Sequence, residues 1–343
     1  MLVPDHTLAL GDTRLASGQT LAQGRLAYIC LGQLNEQRTN AILILHGYTS
    51  SHRFVLDDDP DSAEGSWGPL IGPGKAIDTD QYFVIAPNAI GSSYGSSGPA
   101  DINPATGKHY GPDFPNITFE DQVNAQHQLL QHLGVNALHA VIGLSMGGFG
   151  AFQWSVQHPL LMRKVIPVLT APWGSLNQAA SKKSVTDVLA ANPYWKQGWY
   201  YDHLDQLQAT LQNIRINTLT RYGVPTWLET QFEQAADVQH TLEKMALGWA
   251  QKFDANALLT LRSAIDQFDV RDRLNQTKAE FLYVLSRTDS LFPPSIANET
   301  LSRLPKTTQS PRYFEIDSAY GHFASSLDWQ RWAKPLSDFI NND

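Results

Sequence analysis

The chain has 343 residues, of which 42% are hydrophobic and 17% charged, so it can bury a sizeable core and lacks the composition of a disordered chain. Its formal net charge is −8 and it has no run of Lys or Arg, so nucleic acid is not an expected partner. Cys30 is the single cysteine, which excludes an intrachain disulfide and fits a cytoplasmic location, and the absence of a signal-peptide pattern or of about 18 consecutive apolar residues predicts no membrane association.

Seven short apolar runs predict buried strands. They lie at residues 25–32, 41–46, 82–88, 139–145, 164–170, 280–286 and 312–316. These runs lack strict alternation, which is typical of strands that helices cover on both faces. Between them, helices are predicted at residues 118–134, 146–159 and 328–342, the first with Thr118 as its N-cap and Gly134 at its end. The alternation of strands and helices indicates the α/β class, with a mostly parallel central sheet flanked by helices.

The stretch from residue 173 to residue 262 interrupts this alternation. It is rich in Gln, Asn, Leu, Trp and Tyr, and its pattern predicts helices without strands. No linker rich in Pro, Gly or Ser separates it from the rest of the chain. We therefore interpret residues 173–262 as a helical insertion in a core made of residues 1–172 and 263–343, with a separate substrate domain as the alternative.

One serine stands in a pattern that is typical of nucleophiles. The run Gly143-Leu144-Ser145-Met146-Gly147 fits G-x-S-x-G and lies between a predicted strand and a predicted helix. In that setting the pattern forms a sharp turn that holds the serine at its tip, and small neighbours are needed because a Cβ would collide with the backbone. This context favours a nucleophilic Ser145 over a chance match in a glycine-bearing turn.

A serine hydroxyl needs a base, and the base needs an acid that orients it. In folds that use this turn, the acid follows the serine and the histidine comes last. Of the four histidines downstream of Ser145, His322 stands in a Gly-containing loop after the last predicted strand, where a base is expected. Asp289, in the loop directly after a strand, is the predicted acid. Asp317 is a rival, although it is too close to His322 in the chain to lie naturally on a separate strand end.

Acyl transfer places negative charge on an oxygen, and backbone amides can stabilise that charge. The amide after the nucleophile, that of Met146, is one candidate, and the start of the following helix adds positive potential there. The second donor is expected in the loop after an early strand, where His46-Gly47-Tyr48 makes the amide of Tyr48 the candidate. We expect His46 itself to pack against this loop and hydrogen-bond it, not to take part in chemistry.

Several long stretches carry a common pattern: residues 65–122, 144–154, 252–270, 286–295 and 315–323. Together they resemble the homoserine O-acetyltransferase family. The resemblance implies an α/β-hydrolase fold with a helical lid, and ping-pong acyl transfer. It assigns the nucleophile to Ser145, the acid to Asp289, the base to His322 and the oxyanion amides to Tyr48 and Met146. It also implies acetyl-CoA as the acyl donor of a transferase, no required cofactor or metal, and a homodimer formed through the lid.

Two features depart from the family pattern. In the family an aspartate follows the catalytic histidine and helps to hold the amino group of homoserine, whereas this chain has Phe323. The family also has a lid arginine, in a segment of Ala-Arg, an apolar stretch and a Tyr, that binds the carboxylate. Here Arg215 and Arg221 stand in the matching region but in a different context, and substitution for the family arginine by one of them is the alternative. A pocket without both charged contacts would bind a zwitterion poorly, because an unpaired buried charge is costly. Phe323, Arg215 and Arg221 are our candidate substrate-pocket residues.

The function predicted from the sequence is therefore serine-dependent hydrolysis of short-chain acyl esters such as acetyl esters. An acetyl-CoA-dependent O-acetyltransferase acting on homoserine or another alcohol is the alternative, and a non-catalytic binding scaffold is a second one. The expected partner is a small-molecule acyl ester or thioester. We expect no metal, because no Cys/His spacing suits zinc and the acidic run at residues 56–62 lacks the spacing of a calcium loop.

Overall fold

The computed structural model describes residues 3–57, 65–174, 181–305 and 310–342. Twelve β-strands lie within these ranges. They are β1 His6–Arg14, β2 Thr20–Leu31, β3 Ala41–Leu45, β4 Ile71–Gly72, β5 Ile77–Asp78, β6 Phe83–Pro87, β7 Ile102–Asn103, β8 Lys108–His109, β9 Leu138–Leu144, β10 Met162–Val168, β11 Glu280–Ser286 and β12 Arg312–Ile316.

Eight strands form one sheet, in the order β1-β2-β6-β3-β9-β10-β11-β12. From β6 to β12 all neighbours pair in parallel, whereas β2 pairs antiparallel with both β1 and β6. The predicted mostly parallel α/β sheet is confirmed, and all seven predicted strands belong to it. The sequence analysis missed β1, an edge strand whose residues are largely exposed and which therefore lacks a continuous apolar run.

Successive side chains of the central strands enter two different apolar cores. Along β3, Leu43 and Leu45 lie in one core, and Ile42 and Ile44 lie in the other. Neighbouring residues of a strand face opposite sides of a sheet, so a strand covered on both sides needs apolar residues at every position. This double coverage explains the unbroken apolar runs in the sequence.

Ten α-helices lie within the described residues. They are α1 Phe119–Leu133, α2 Met146–Gln157, α3 Lys182–Ala190, α4 Leu204–Tyr222, α5 Val224–Leu228, α6 Ala235–Ala250, α7 Ala255–Gln267, α8 Ala297–Arg303, α9 Ala324–Leu327 and α10 Gln330–Asn341. Helices α1 and α2 pack on one core and α10 packs on the other. None of these helices is both long and apolar enough to cross a lipid bilayer.

Helix α1 shows how local sequence sets the ends of an element. The hydroxyl of Thr118 accepts the amide of Asp121, and the carboxylate of Asp121 accepts the amide of Thr118, which forms a reciprocal capping box. At the other end Gly134 adopts the left-handed conformation, with φ 71°. The predicted cap residues Thr118 and Gly134 therefore flank the observed helix Phe119–Leu133.

The helices α3 to α7 occupy residues 181–267, which we name the helical segment. No strand lies in this part of the described chain. We predicted an insertion at residues 173–262, and this range stays a prediction. Helix α7 runs through residue 262 to Gln267, and Leu258 and Leu261 bury its apolar face in the same core as the sheet.

Candidate active site

The carboxyl ends of the parallel strands bring three loops to one edge of the sheet. The register pairs the last residue of β9 with the last of β10, and the last residue of β11 with the last of β12. Parallel strands that end in register place the residues that follow them at a common edge. Ser145 follows β9 directly, and the loops after β11 and β12 carry Asp289 and His322.

Ser145 lies in a turn that only glycine neighbours permit. Its backbone has φ 54° and ψ −114°, a conformation that non-glycine residues rarely adopt. A Cβ on Gly143 would lie 2.0 Å from the carbonyl oxygen of Gly147, and a Cβ on Gly147 would lie 2.1 Å from the carbonyl oxygen of Leu45. The strand and helix therefore approach closely enough to hold the serine at the tip of the turn, as the G-x-S-x-G pattern predicts.

The imidazole of His322 connects the serine to a carboxylate. Its Nε2 lies 2.8 Å from the Oγ of Ser145, and its Nδ1 lies 2.8 Å from Oδ2 of Asp289. All three residues are buried. An ionised carboxylate only accepts hydrogen bonds, so Nδ1 carries the proton and Nε2 is free to accept the serine O–H. This is the arrangement in which an imidazole can take the proton of a hydroxyl.

The second oxygen of Asp289 fixes the orientation of its carboxylate. Oδ1 accepts the amides of Leu291, at 2.8 Å, and Phe292, at 3.3 Å. The rival acid Asp317 is two-thirds exposed and forms an ion pair with Arg287 at 2.8 Å. Asp289 is therefore the carboxylate that the structure brings to the histidine, and the side chain of Asp317 points elsewhere.

A hydroxyl joins the loop of the acid to the loop of the base. Thr288 donates its Oγ1 hydrogen to the carbonyl of Ser318 at 2.9 Å, and the same oxygen accepts the amide of Gly321 at 3.1 Å. Gly321 has φ 53°, in the left-handed region that favours glycine. This link holds Asp289 and His322 at a fixed separation.

Ser145 lies in the wall of a cavity of about 180 Å³. The walls are mostly apolar and include Phe149, Leu258, Ile265 and Phe292. Residues from α3, α4, α6 and α7 form one side of the cavity, so the helical segment covers the serine. A small, partly enclosed cavity with apolar walls suits a small acyl group more than a long one.

Both residues predicted to supply oxyanion amides line this cavity. Met146 is the first residue of α2, so its amide has no carbonyl one turn earlier within the helix to bond. Tyr48 lies in the β3 loop, which we define as residues 46–49. The two candidate amides thus belong to residues of the cavity wall, one in the loop after β3 and one at the start of α2.

His46 hydrogen-bonds the β3 loop to the rest of the core. Its Nε2 accepts the amide of Ala89 at 2.9 Å, so the proton is on Nδ1, which donates to the carbonyl of Gly47 at 2.8 Å. Burial lowers the pKa of His46 to about 4, which keeps the imidazole neutral. His46 therefore has both nitrogens engaged within the protein, in agreement with the packing role that its sequence context suggested.

The two candidate arginines of α4 reach the cavity in different ways. Arg215 is 2% exposed, and its Nη1 donates to the hydroxyl of Thr49 at 2.8 Å. Its guanidinium also lies over the ring of Trp249, 5.4 Å from the centroid. Arg221 lines the same cavity but is exposed. The cavity wall therefore contains a buried guanidinium, that of Arg215, one of the two arginines that we predicted as pocket residues.

Phe323 was a predicted pocket residue, but it is not among the residues that line the cavity. It packs into an apolar cluster with Tyr222, at 5.9 Å between ring centroids, and with buried residues of α4, α5 and α6. The member of this cluster that lines the cavity is Tyr222, whose ring lies 4.7 Å from that of His322. Adjacent residues of a tight helical turn point in different directions, so sequence proximity to His322 was a poor guide for Phe323.

Most of the cavity wall carried no functional pattern in the sequence, and Thr49, Tyr222 and Trp249 are examples. One signal was available, because Arg215 and Tyr222 are seven residues apart, which places both on one face of α4. Thr49 and Trp249 carried no such signal, since their contacts depend on how the helices pack on the β3 loop.

No metal centre was found in the parts of the chain that the structure describes. These parts contain no group of three or more His, Cys, Asp or Glu side chains that could hold an ion. The acidic run at residues 56–62 lies mostly outside the described residues.

Comparisons with known proteins show the family to which the chain belongs. The family described as alpha/beta hydrolase fold matches residues 40–328, so the chain is an enzyme of the α/β-hydrolase class. The homoserine O-acetyltransferase of Moorella thermoacetica is 35% identical, over 95% of this chain and 92% of that protein. The chain therefore belongs to the homoserine O-acetyltransferase family.

Two solved structures show that this fold is shared by proteins of different names. Homoserine O-acetyltransferase from Bacillus anthracis has a TM-score of 0.86 and 26% identity, covering 100% of this chain and 99% of its own. Esterase E22 has a TM-score of 0.87 and 26% identity, covering 99% of this chain and 100% of its own. One likeness is to a transferase and the other to an esterase.

The close approach at the serine turn predicts that alanine substitution at two glycines of α2 has unequal effects on the free energy of unfolding. In Gly147→Ala the new Cβ meets backbone oxygen, which cannot move aside, so we expect a loss of about 3 kcal/mol or more in the free energy of unfolding. In the matched variant Gly150→Ala the Cβ meets only the end of the Leu45 side chain, at 2.8 Å, so we expect a loss below about 1 kcal/mol. Urea unfolding checks both; equal losses would contradict the steric account.

The lowered pKa of His46 predicts acid sensitivity. Because its folded pKa of about 4 lies below the ordinary 6.5, the unfolded chain binds a proton that the native state does not bind between these values. The free energy of unfolding should thus fall as the pH drops through this window, by up to about 3 kcal/mol. Urea titrations at about pH 7 and about pH 4.5 should show a smaller fall in His46→Asn. Equal falls in both proteins would exclude His46 as the cause.

Proposed function

We propose that this chain is an acyl-transfer enzyme in which Ser145 carries the acyl group, and that it mainly hydrolyses short-chain acyl esters such as acetyl esters. The observation that carries the proposal is the hydrogen-bonded chain of Ser145, His322 and Asp289 at the wall of a small cavity. The family membership supports acyl transfer as the reaction class.

The reaction follows from the two hydrogen bonds of His322. The Oγ of Ser145 attacks the carbonyl carbon of an acyl ester while Nε2 of His322 takes the hydroxyl proton. The imidazolium formed in this step is stabilised by the carboxylate of Asp289, which also holds the ring in the required tautomer. When the tetrahedral intermediate collapses, the C–O bond of the ester breaks and Nε2 returns the proton to the departing alcohol. The acyl group is then bonded to Ser145.

The amides of Tyr48 and Met146 stabilise the oxyanion of the tetrahedral intermediate. Tyr48 and Met146 both line the cavity, and the positive end of the α2 dipole lies at Met146. One preorganised donor of this kind lowers the activation barrier by about 3–4 kcal/mol. Water activated by His322 then attacks the acyl-enzyme, which releases the acid and restores the serine.

Three variants test this reaction. With p-nitrophenyl acetate, we expect kcat to fall by at least about 10³-fold in Ser145→Ala and His322→Gln, and by about 10³–10⁴-fold in Asp289→Asn, because each change removes a member of one proton-transfer unit. Stopped-flow and steady-state absorbance measure the release of nitrophenolate, and thermal unfolding confirms that the variants remain folded.

Tyr313→Phe is a suitable control, because Tyr313 bonds Glu315 near the end of β12 and lies outside the cavity. It should keep nearly wild-type turnover. Wild-type turnover in Ser145→Ala would contradict the proposal, and the absence of a covalent adduct between Ser145 and a serine-directed phosphonate would favour a binding scaffold.

A second candidate function is acetyl transfer from acetyl-CoA to homoserine or another alcohol. The observation that favours it is Arg215, a buried guanidinium in the cavity wall, because a buried cation there can bind the carboxylate of an acceptor. Phe323 stands where the family has the aspartate that helps to hold the amino group of homoserine. This departure favours an acceptor with a carboxylate and without a charged amino group.

The two candidates predict different responses to Arg215→Met. If a carboxylate binds Arg215, the variant should lose kcat/KM for acetyl transfer to a hydroxy acid at least about tenfold more than it loses for p-nitrophenyl acetate. Arg221→Met, on the same helix but exposed, should show a smaller difference because water screens its charge. Equal losses on both substrates would exclude a carboxylate site at Arg215, and no transfer by the wild-type protein leaves hydrolysis as the function.

A further inference from the structure

The β3 loop is bonded to three different helices of the helical segment. The hydroxyl of Tyr48 donates to the carbonyl of Leu258 on α7, at 2.7 Å. The hydroxyl of Thr49 accepts Nη1 of Arg215 on α4, at 2.8 Å, and the carbonyl of Thr49 accepts Nε1 of Trp249 on α6, at 3.2 Å. Two consecutive residues therefore connect the loop to α4, α6 and α7.

The two bonds of Thr49 are shielded from water. Thr49 and Arg215 are each 2% exposed and Trp249 is 6% exposed. A buried donor or acceptor that loses its protein partner has no water to replace it, so each bond resists opening more strongly than an exposed one. The β3 loop is thus held by buried groups of the covering helices on one side and by His46 on the side of the core.

We propose that the helical segment holds the amide of Tyr48 in position for the oxyanion, with the hydroxyl of Thr49 as the positioning group. This inference rests on the proposed function. The amide of Tyr48 lies between two fixed points of the chain: His46, bonded to Ala89, and Thr49, bonded to Arg215 and Trp249. An oxyanion donor acts only within a narrow range of distance, so a shift of a fraction of an ångström after loss of one anchor lowers the rate.

The same bonds couple the contents of the cavity to the oxyanion amide. Arg215 and Trp249 line the cavity and also hold Thr49. An anionic group that binds Arg215 therefore contacts a residue that holds the β3 loop one residue from the Tyr48 amide. The helical segment acts as a part of the catalytic machinery through this contact, in addition to covering Ser145.

The Thr49 hydroxyl can be removed with little change in shape. In Thr49→Val we expect kcat for p-nitrophenyl acetate to fall about 10- to 100-fold with KM within about threefold of wild type, because the loss is confined to the transition state. Inhibition by a small alkyl boronic acid, which forms a tetrahedral adduct with a reactive serine, should weaken by a similar factor. Thr49→Ser keeps the hydroxyl and should recover kcat to within about threefold of wild type.

Tyr200→Phe is the matched control for loss of a buried bond in the helical segment. The Tyr200 hydroxyl donates to Asp254 at 2.8 Å and accepts the amide of Ala255, and it has no bond to the β3 loop. We expect this variant to lose thermal stability while kcat and boronate inhibition remain near wild type. If Thr49→Val fails to fold, Tyr48→Phe removes the bond to Leu258 and should give the same pattern of a lower kcat with an unchanged KM.

Three results would overturn the inference: wild-type kcat in a folded Thr49→Val or Tyr48→Phe, an equal loss of kcat in Tyr200→Phe, or a change in KM alone. Failure of the proposed function has a different signature, since it would appear as normal turnover in Ser145→Ala. Loss of turnover in Ser145→Ala together with wild-type kcat in Thr49→Val would leave the acyl-enzyme reaction intact and reject only the role of Thr49.

Discussion

The contact between the start of α2 and the end of β3 is the constraint on which the site depends. Gly147 lies so close to the carbonyl of Leu45 that no Cβ can be accommodated, and this approach keeps Ser145 at a positive φ. A strained serine persists only where the surrounding structure determines its conformation. Here the paired strands β3 and β9, and the core beneath α2, fix the backbone of Ser145. The packing of the sheet therefore sets the direction of the Ser145 hydroxyl.

The remainder of the site lies on loops that side-chain hydrogen bonds hold in place. Thr288 joins the loop of Asp289 to the loop of His322, and His46 and Thr49 fix the β3 loop from the core and from the helical segment. Loops alone are the mobile parts of an α/β fold, whereas catalysis needs groups held within fractions of an ångström. Here side-chain hydrogen bonds restrict the motion of the loops that carry the catalytic groups.

Much of this arrangement was predictable, because it follows from local sequence patterns. The apolar runs predicted seven strands of the sheet. The place of Asp289 directly after a strand, and the closeness of Asp317 to His322 in the chain, favoured Asp289 as the acid. The edge strand β1 was missed since its exposed residues carry no apolar run. The surroundings of Phe323 and the partners of Thr49 depend on how distant helices pack, and no local pattern encodes such contacts.

The most direct test of the central claim is to find the acyl group on the protein. The wild-type enzyme is mixed with p-nitrophenyl acetate, quenched in acid within the first turnover, and examined by peptide mass spectrometry. The account predicts an acetyl group on the peptide that contains Ser145, which decays when turnover is allowed to continue. An acetyl group found only elsewhere, or hydrolysis at the full rate with no acylated peptide at any time, would contradict it.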